Sequence, residues 1–265
     1  MENSPIQPDE WQFLRTYTPA RIALGRAGHS LPTKALLDFN LAHAQARDAV
    51  HSEMKSGELQ QELTKILLGD ASPRNALPEV FLLKSQIENR QQYLLRPDLG
   101  RKLSGESASL LGSHAAPPSD ICFVVADGLS AQAVHAHAVP VLQKLASILK
   151  ESGWSMAPIC LVEQGRVAIA DEIGYLLHAE IVVILIGERP GLTSPDSLGA
   201  YLTYQPRPGL TDATRNCVSN IRPAGLGYEL ASQKLFYLLT EMKRKKLSGV
   251  GLKDELDTFL GEGPA

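Results

Sequence analysis

Three short apolar runs that never alternate with polar residues constrain this chain more than anything else in it. Ile121-Cys-Phe-Val-Val-Ala126, Ala157-Pro-Ile-Cys-Leu-Val162 and Ile181-Val-Val-Ile-Leu-Ile186 each read as a strand buried on both faces. Helical patterns separate them, from Ser130 to about Lys150 and over residues 167–178. Each strand-to-strand step takes about 30 residues, the length a right-handed βαβ crossover needs. The expected fold class is α/β, a Rossmann-like doubly wound parallel sheet. A fourth, shorter strand is expected over residues 200–204, and a closing helix over residues 228–246.

The residues before this block carry helical patterns and no strand signal. Thr33 is placed to cap a helix bearing Leu36, Leu37, Phe39 and Leu41, and Leu59, Leu63, Ile66 and Leu67 fall on one helical face. A break at residues 71–75 precedes further helical patterns through Ile87 and Tyr93 and from Asp98 to Leu111. Residues 114–120 hold Pro117-Pro118, which cannot continue a helix, and read as a linker. The organisation expected is therefore a mainly helical N-terminal region over residues 1–117, a Rossmann-like domain over 118–250 and a tail over 251–265.

Composition removes whole classes of function. A chain of 265 residues with 44% apolar content buries a core without disulfides or a structural metal. The three cysteines cannot close into pairs, and no pair has zinc-ligand spacing. Net charge is -3, so no basic field holds nucleic acid. The longest apolar run is far shorter than a membrane span, and residues 1–10 lack a signal-peptide core. A reducing cytoplasm is the simplest home.

In open α/β sheets, ligands sit beyond the carboxyl ends of the strands. Those ends are Asp127-Gly-Leu-Ser130, Glu163-Gln-Gly-Arg-Val167 and Gly187-Glu-Arg-Pro-Gly191. At the third, Glu188 offers a carboxylate that accepts from amides or hydroxyls, and Arg189 a guanidinium that orients it or a phosphate. The plainer alternative is a solvated Glu–Arg turn. Ser130 reads first as a helix cap, with Asp127 ending the strand. Cys217, in Asn216-Cys-Val-Ser-Asn220, reads as a packing residue on a loop returning to the sheet. GxGxxG, a P-loop and DxHxxG are all missing.

Seven segments, taken together and in order, resemble the small (light) subunit family of ethanolamine ammonia-lyase. They are Ala20-Arg-Ile-Ala-Leu-Gly-Arg-Ala-Gly28 with Thr33-Lys-Ala-Leu-Leu37, Tyr93-Leu-Leu-Arg-Pro-Asp-Leu-Gly-Arg101, Val125-Ala-Asp-Gly-Leu-Ser130, Gly165-Arg-Val167, Asp171-Glu-Ile-Gly174, Val183-Ile-Leu-Ile-Gly-Glu-Arg-Pro-Gly-Leu192 and Cys217-Val-Ser-Asn-Ile221. The resemblance implies a non-catalytic subunit of an adenosylcobalamin-dependent lyase. Such a subunit caps a larger TIM-barrel subunit in a hetero-oligomer and helps hold the cofactor at the interface. That enzyme deaminates ethanolamine by radical chemistry to acetaldehyde and ammonia. Matched motif by motif, the implied cobalamin contacts are Val167, Glu188 and Cys217, with Arg166 and Arg189 added by adjacency. No residue of this chain is expected to be catalytic or to ligate the metal, and without DxHxxG the cofactor is expected to keep its own base on cobalt. The glycine- and arginine-rich segment up to Gly28 is expected to dock the large subunit. Family context adds a bacterial microcompartment as an alternative cytoplasmic address. The rival from another class is a structural or regulatory binding module of the same fold that has lost the cofactor.

Overall fold

The apolar runs form the centre of a six-stranded sheet in the computed structural model, which describes residues 5–68, 79–114 and 117–255. The strands are β1 (Val80–Lys84), β2 (Ser119–Ala126), β3 (Ile159–Glu163), β4 (Ala179–Gly187), β5 (Leu198–Tyr204) and β6 (Arg215–Ile221). Their order across the sheet is β1-β3-β2-β4-β5-β6. The helices are α1 (Thr33–His51), α2 (Ser56–Leu68), α3 (Arg90–Leu95), α4 (Gly105–Ser113), α5 (Ala131–Glu151), α6 (Ile169–Leu176) and α7 (Tyr228–Lys245). The break at 71–75 and the end of the tail, 256–265, lie outside the described residues.

From β2 the chain crosses through α5 to β3 on one side, then returns through α6 past β2 to β4. Because both crossovers of a doubly wound sheet share one hand, opposite directions put their helices on opposite faces. One face is sealed by α5, α7 and α2: Val134, Val141, Leu145, Leu235, Leu239, Leu59 and Leu63 pack with Phe123, Val125, Leu161, Val183 and Leu185. The other is sealed by α4 and α6 through Leu111, Ile169 and Ile173, against Cys122, Val124, Cys160, Val182 and Ile184. Cys122 and Cys160 are thus buried core residues, as their setting in apolar runs implied.

The sheet is not wholly parallel. Strands β1, β3, β2 and β4 are parallel to their neighbours, whereas β5 runs antiparallel to β4 and β6 antiparallel to β5. The cause is connection length: residues 188–197 and 205–214 contain no helix long enough to cross over, so the chain turns back on itself. Two strands were also unforeseen. Val80-Phe-Leu-Leu-Lys84 lies in a stretch read as helical, because a short apolar run fits either pattern and only pairing with β3 decides it. Residues 215–221, expected to be loop, form β6, so Cys217 stands on a strand. Residues 98–111 divide into a 3-10 turn at Leu99–Arg101 and then α4, and Ser119 and Asp120, expected in a linker, already belong to β2.

Helix α1 forms where its pattern put it, but Pro32 occupies the cap position without a side-chain bond and Thr33 is the first helical residue. Its Leu36, Leu37, Phe39 and Leu41 are exposed, as are Trp11, Phe13 and Tyr17 before it. Ser130 does cap α5, its hydroxyl accepting from the Ala133 amide. No helix among the described residues is long and apolar enough to cross a membrane.

Candidate functional site

The doubly wound rule directs attention to the carboxyl ends of β2 and β4, where the two crossovers diverge. Here the backbones touch. A Cβ on Gly128 would lie 2.3 Å from the Gly187 carbonyl, and one on Gly187 would lie 2.1 Å from the Ser130 carbonyl. Ligand chemistry therefore cannot enter between these strands and is displaced to either flank.

On the β3 flank, the Gly165-Arg166-Val167 loop is held from below by a buried cluster. Asp127, 1% exposed, accepts from the amides of Gly128 at 3.0 Å and Gly165 at 3.1 Å. Arg90 lies 3.7 Å from that carboxylate and donates to the Gly128 carbonyl at 2.9 Å. Burial pushes the Asp127 carboxyl up to about 6, against the opposing pull of Arg90 and the amide hydrogen bonds. The Arg166 guanidinium is turned inward: it stacks 3.9 Å from the Tyr93 ring centroid and donates to the Tyr93 carbonyl at 2.9 Å. Val167 is half-buried against the same face as α6.

On the β5 flank, the antiparallel extension is covered on one face only. Val218 and Leu202 face α5 and α7. On the face that α6 occupies further in, β5 contributes half-buried Tyr201, and Cys217 of β6, opposite Tyr201 in register, is exposed. Glu188 lies on this same face, over Gly199. A Cβ on Gly199 would come within 3.0 Å of Glu188 Oε1, so glycine is what leaves room for the carboxylate. A bulge opposite Leu198 and Ala200 turns Asn220 into a left-handed conformation, φ 57°, and its amide donates to Glu188 Oε2 at 3.2 Å. Deeper on this face, Thr203 is in register with Arg215, whose guanidinium is buried against Asp171 of α6 and also bonds Asp212 at 2.9 Å.

Glu188, Tyr201 and Cys217 therefore form one stripe, floored by the Asp171–Arg215 pair. Glu188 is instead a carboxylate held by a backbone amide, with no ion pair to Arg189 among the described residues. Arg189 is exposed at the rim. Burial, then Cys217 and Glu188, hold the Tyr201 phenol protonated well above its ordinary range. The Cys217 thiol is likewise raised, by desolvation first, which suits contact and not nucleophilic attack. Val167 belongs to the same face but lies on the far side of β2 and β4, so a ligand touching both Val167 and Cys217 spans four strand spacings, roughly 19 Å. Tyr201, Asn220 and the Arg90–Tyr93–Asp127 cluster were not found from sequence.

Among the described residues, no group of histidine, cysteine and carboxylate side chains could hold a metal ion. The family described as ethanolamine ammonia-lyase light chain (EutC) matches residues 8–253. An ethanolamine ammonia-lyase small subunit from Ralstonia nicotianae is 57% identical over 260 residues, covering 97% of this chain and 93% of its own length. One from Azotobacter vinelandii is 55% identical over 270 residues, covering 99% and 96%. A third, from Xanthomonas campestris pv. campestris, is 55% identical over 260 residues, covering 96% and 92%.

Proposed function

The chain belongs to the ethanolamine ammonia-lyase light-chain family, and on that premise we propose that the Glu188–Tyr201–Cys217 face and the Val167 loop hold one side of adenosylcobalamin against a larger subunit. The observation that carries this reading is the carboxylate of Glu188: fixed by the Asn220 amide, half-buried, and kept open at Oε1 by the missing side chain of Gly199. That donor set fits the group. A corrin presents amide side chains around a broad apolar ring, and this face offers a carboxylate acceptor with an aromatic ring and a thiol on its stripe, and a valine across β2 and β4. When bound, adenosylcobalamin supplies radical chemistry through its weak cobalt–carbon bond, which the protein itself cannot supply.

This chain's residues bind and orient. Glu188 accepts from a corrin amide, Val167 and Cys217 pack against the ring's periphery, and Arg189 places a cation at the rim. Arg166 acts from beneath, through the loop that carries Val167. Residues 187–227 contain no histidine, so Glu188, Tyr201 and Cys217 would hold the group by acceptor and packing contacts alone. The substrate and the reacting atoms belong to the large subunit.

The N-terminal region, residues 1–117 in this reading, docks that subunit. Trp11, Tyr17, Leu37 and Leu41 are 62%, 82%, 60% and 60% exposed, an apolar set that a hetero-oligomer would cover. The Rossmann-like part, 118–250 completed by β1, α2 and α4 from the preceding region, then presents the cofactor face, and a cytoplasmic or microcompartment address follows the enzyme.

Ammonia release from ethanolamine with adenosylcobalamin tests this directly, using this chain alone, the large subunit alone, and both. Activity is expected only in the mixture. A stable but inactive complex would instead favour the degenerate binding module, and activity of this chain alone would overturn the reading.

A further inference from the structure

The loop that carries Val167 is bonded to three segments that lie before it in sequence: α3, the 3-10 turn at Leu99–Arg101 and the end of β2. Tyr93, 0% exposed, donates its hydroxyl to the Gly165 carbonyl at 3.0 Å. The Gly165 amide points the other way, to Asp127 at 3.1 Å. The next amide, Arg166, donates to the Gly100 carbonyl at 2.7 Å. The Tyr93 ring is also the platform for two guanidiniums, Arg90 at 4.5 Å and Arg166 at 3.9 Å from its centroid. Gly100 closes the arrangement: a Cβ there would sit 2.8 Å from Arg166 Cγ and 3.1 Å from the Gln164 carbonyl.

Burial keeps the Tyr93 phenol protonated, so its hydroxyl remains a donor throughout the working pH range. Gly165 has no side chain of its own to hold it, and a Cβ there would meet Ala126 Cβ at 3.0 Å. The hydrogen bonds at the Gly165 peptide groups and at the Arg166 amide therefore set where Val167 is presented.

We infer that Tyr93 is a positioning residue for the cofactor loop: its buried hydroxyl and ring fix Gly165 and Arg166 so that Val167 stands preformed on the ligand face. The inference rests on the reading of that face as a cobalamin site. It assigns to α3, inside the region read as docking, a second task of setting the loop. Preorganisation of this kind lowers the ordering cost of binding and leaves the chemical step untouched.

The test is equilibrium binding of cyanocobalamin to the assembled two-subunit enzyme, followed by absorbance, with the thermal midpoint measured in parallel. Tyr93→Phe keeps the ring and removes one hydrogen bond, so the Kd is expected to rise about 3- to 10-fold while assembly persists. In a double-mutant cycle, Val167→Ala weakens binding in the wild-type background and much less in the Tyr93→Phe background, because the loop is then no longer preset. Should Tyr93→Phe lower the yield of complex, Gly100→Ala displaces the same loop through Arg166 and is expected to raise the Kd likewise. An unchanged Kd for Tyr93→Phe, or strictly additive effects in the cycle, overturns the inference. Glu188→Gln separates the two failures. If it weakens binding while Tyr93→Phe does not, only the positioning role falls; if Glu188→Gln and Val167→Ala are also silent, the cobalamin reading of the face falls with it.

Discussion

The parallel half of the sheet and its antiparallel extension share one sheet but are finished differently. Strands β2 and β4 carry helices on both faces, and Val124, Val125, Ile184 and Leu185 are at most 1% exposed. Strands β5 and β6 carry helices on one face, and on the other leave Tyr201 half-buried and Cys217 exposed. The central half builds stability. The extension lends that stability to an open surface, where Glu188 can be held by one amide and still face a ligand. A parallel sheet covered on both sides has room for chemistry only at its rim; two antiparallel strands added at one edge give it a face.

The contrast can be broken most severely at its joint. Arg215→Ala leaves Asp171 buried and unpaired beneath the open stripe, so denaturant unfolding should show a loss of about 3–5 kcal/mol, while a loss below 1 kcal/mol would mean the joint is not needed. The two halves can then be compared within a single register, since Ile184, Tyr201 and Cys217 lie side by side on one face. Ile184→Ala should cost about 2–5 kcal/mol, and Cys217→Ser less than about 0.5. Equal costs would erase the distinction between a sealed half and an open one.

A pH series sharpens the comparison on the sealed side. The folded Asp127 carboxyl, pushed up to about 6, holds its proton where the unfolded one, near 3.9, has released it. Its contribution to stability is therefore largest below pH 4, falls as pH rises from 4 to 6 and is flat above, with a total drop on the order of 3 kcal/mol. Asp127→Asn should abolish that slope in unfolding curves taken between pH 4 and 6; an unchanged slope would place the titration elsewhere. The smallest effect belongs to the exposed pairs. Lys34→Ala, which breaks an i,i+4 bridge to Asp38, should change the unfolding free energy by no more than about 0.5 kcal/mol in denaturant curves.

The same contrast explains what could be read in advance. β2, β3 and β4 were visible because each is a continuous apolar run too short for a buried helix, and the crossovers α5 and α6 fixed their spacing. β6 was not, since Arg215-Asn-Cys-Val-Ser-Asn-Ile221 is polar on its open face and interrupted by a bulge, and so looks like loop. β1 was missed because its pairing partner, not its composition, makes it a strand. At the site, Glu188 was legible from its place at a strand end, and Val167 and Cys217 through the family resemblance. Tyr93, Arg90 and Asn220 were not: a buried arginine, a phenol bonded to a carbonyl 72 residues away and a left-handed amide leave no local pattern.

The most direct test of the central claim is a cyanocobalamin titration of the assembled enzyme carrying wild-type chain or Glu188→Gln. Loss of one charge-assisted hydrogen bond costs about 1.5–3 kcal/mol, so the Kd should rise about 10- to 150-fold with co-purification and thermal midpoint unchanged. A Kd equal to wild type in an intact complex would contradict the account, because the carboxylate that the open face is built around would then touch no cofactor.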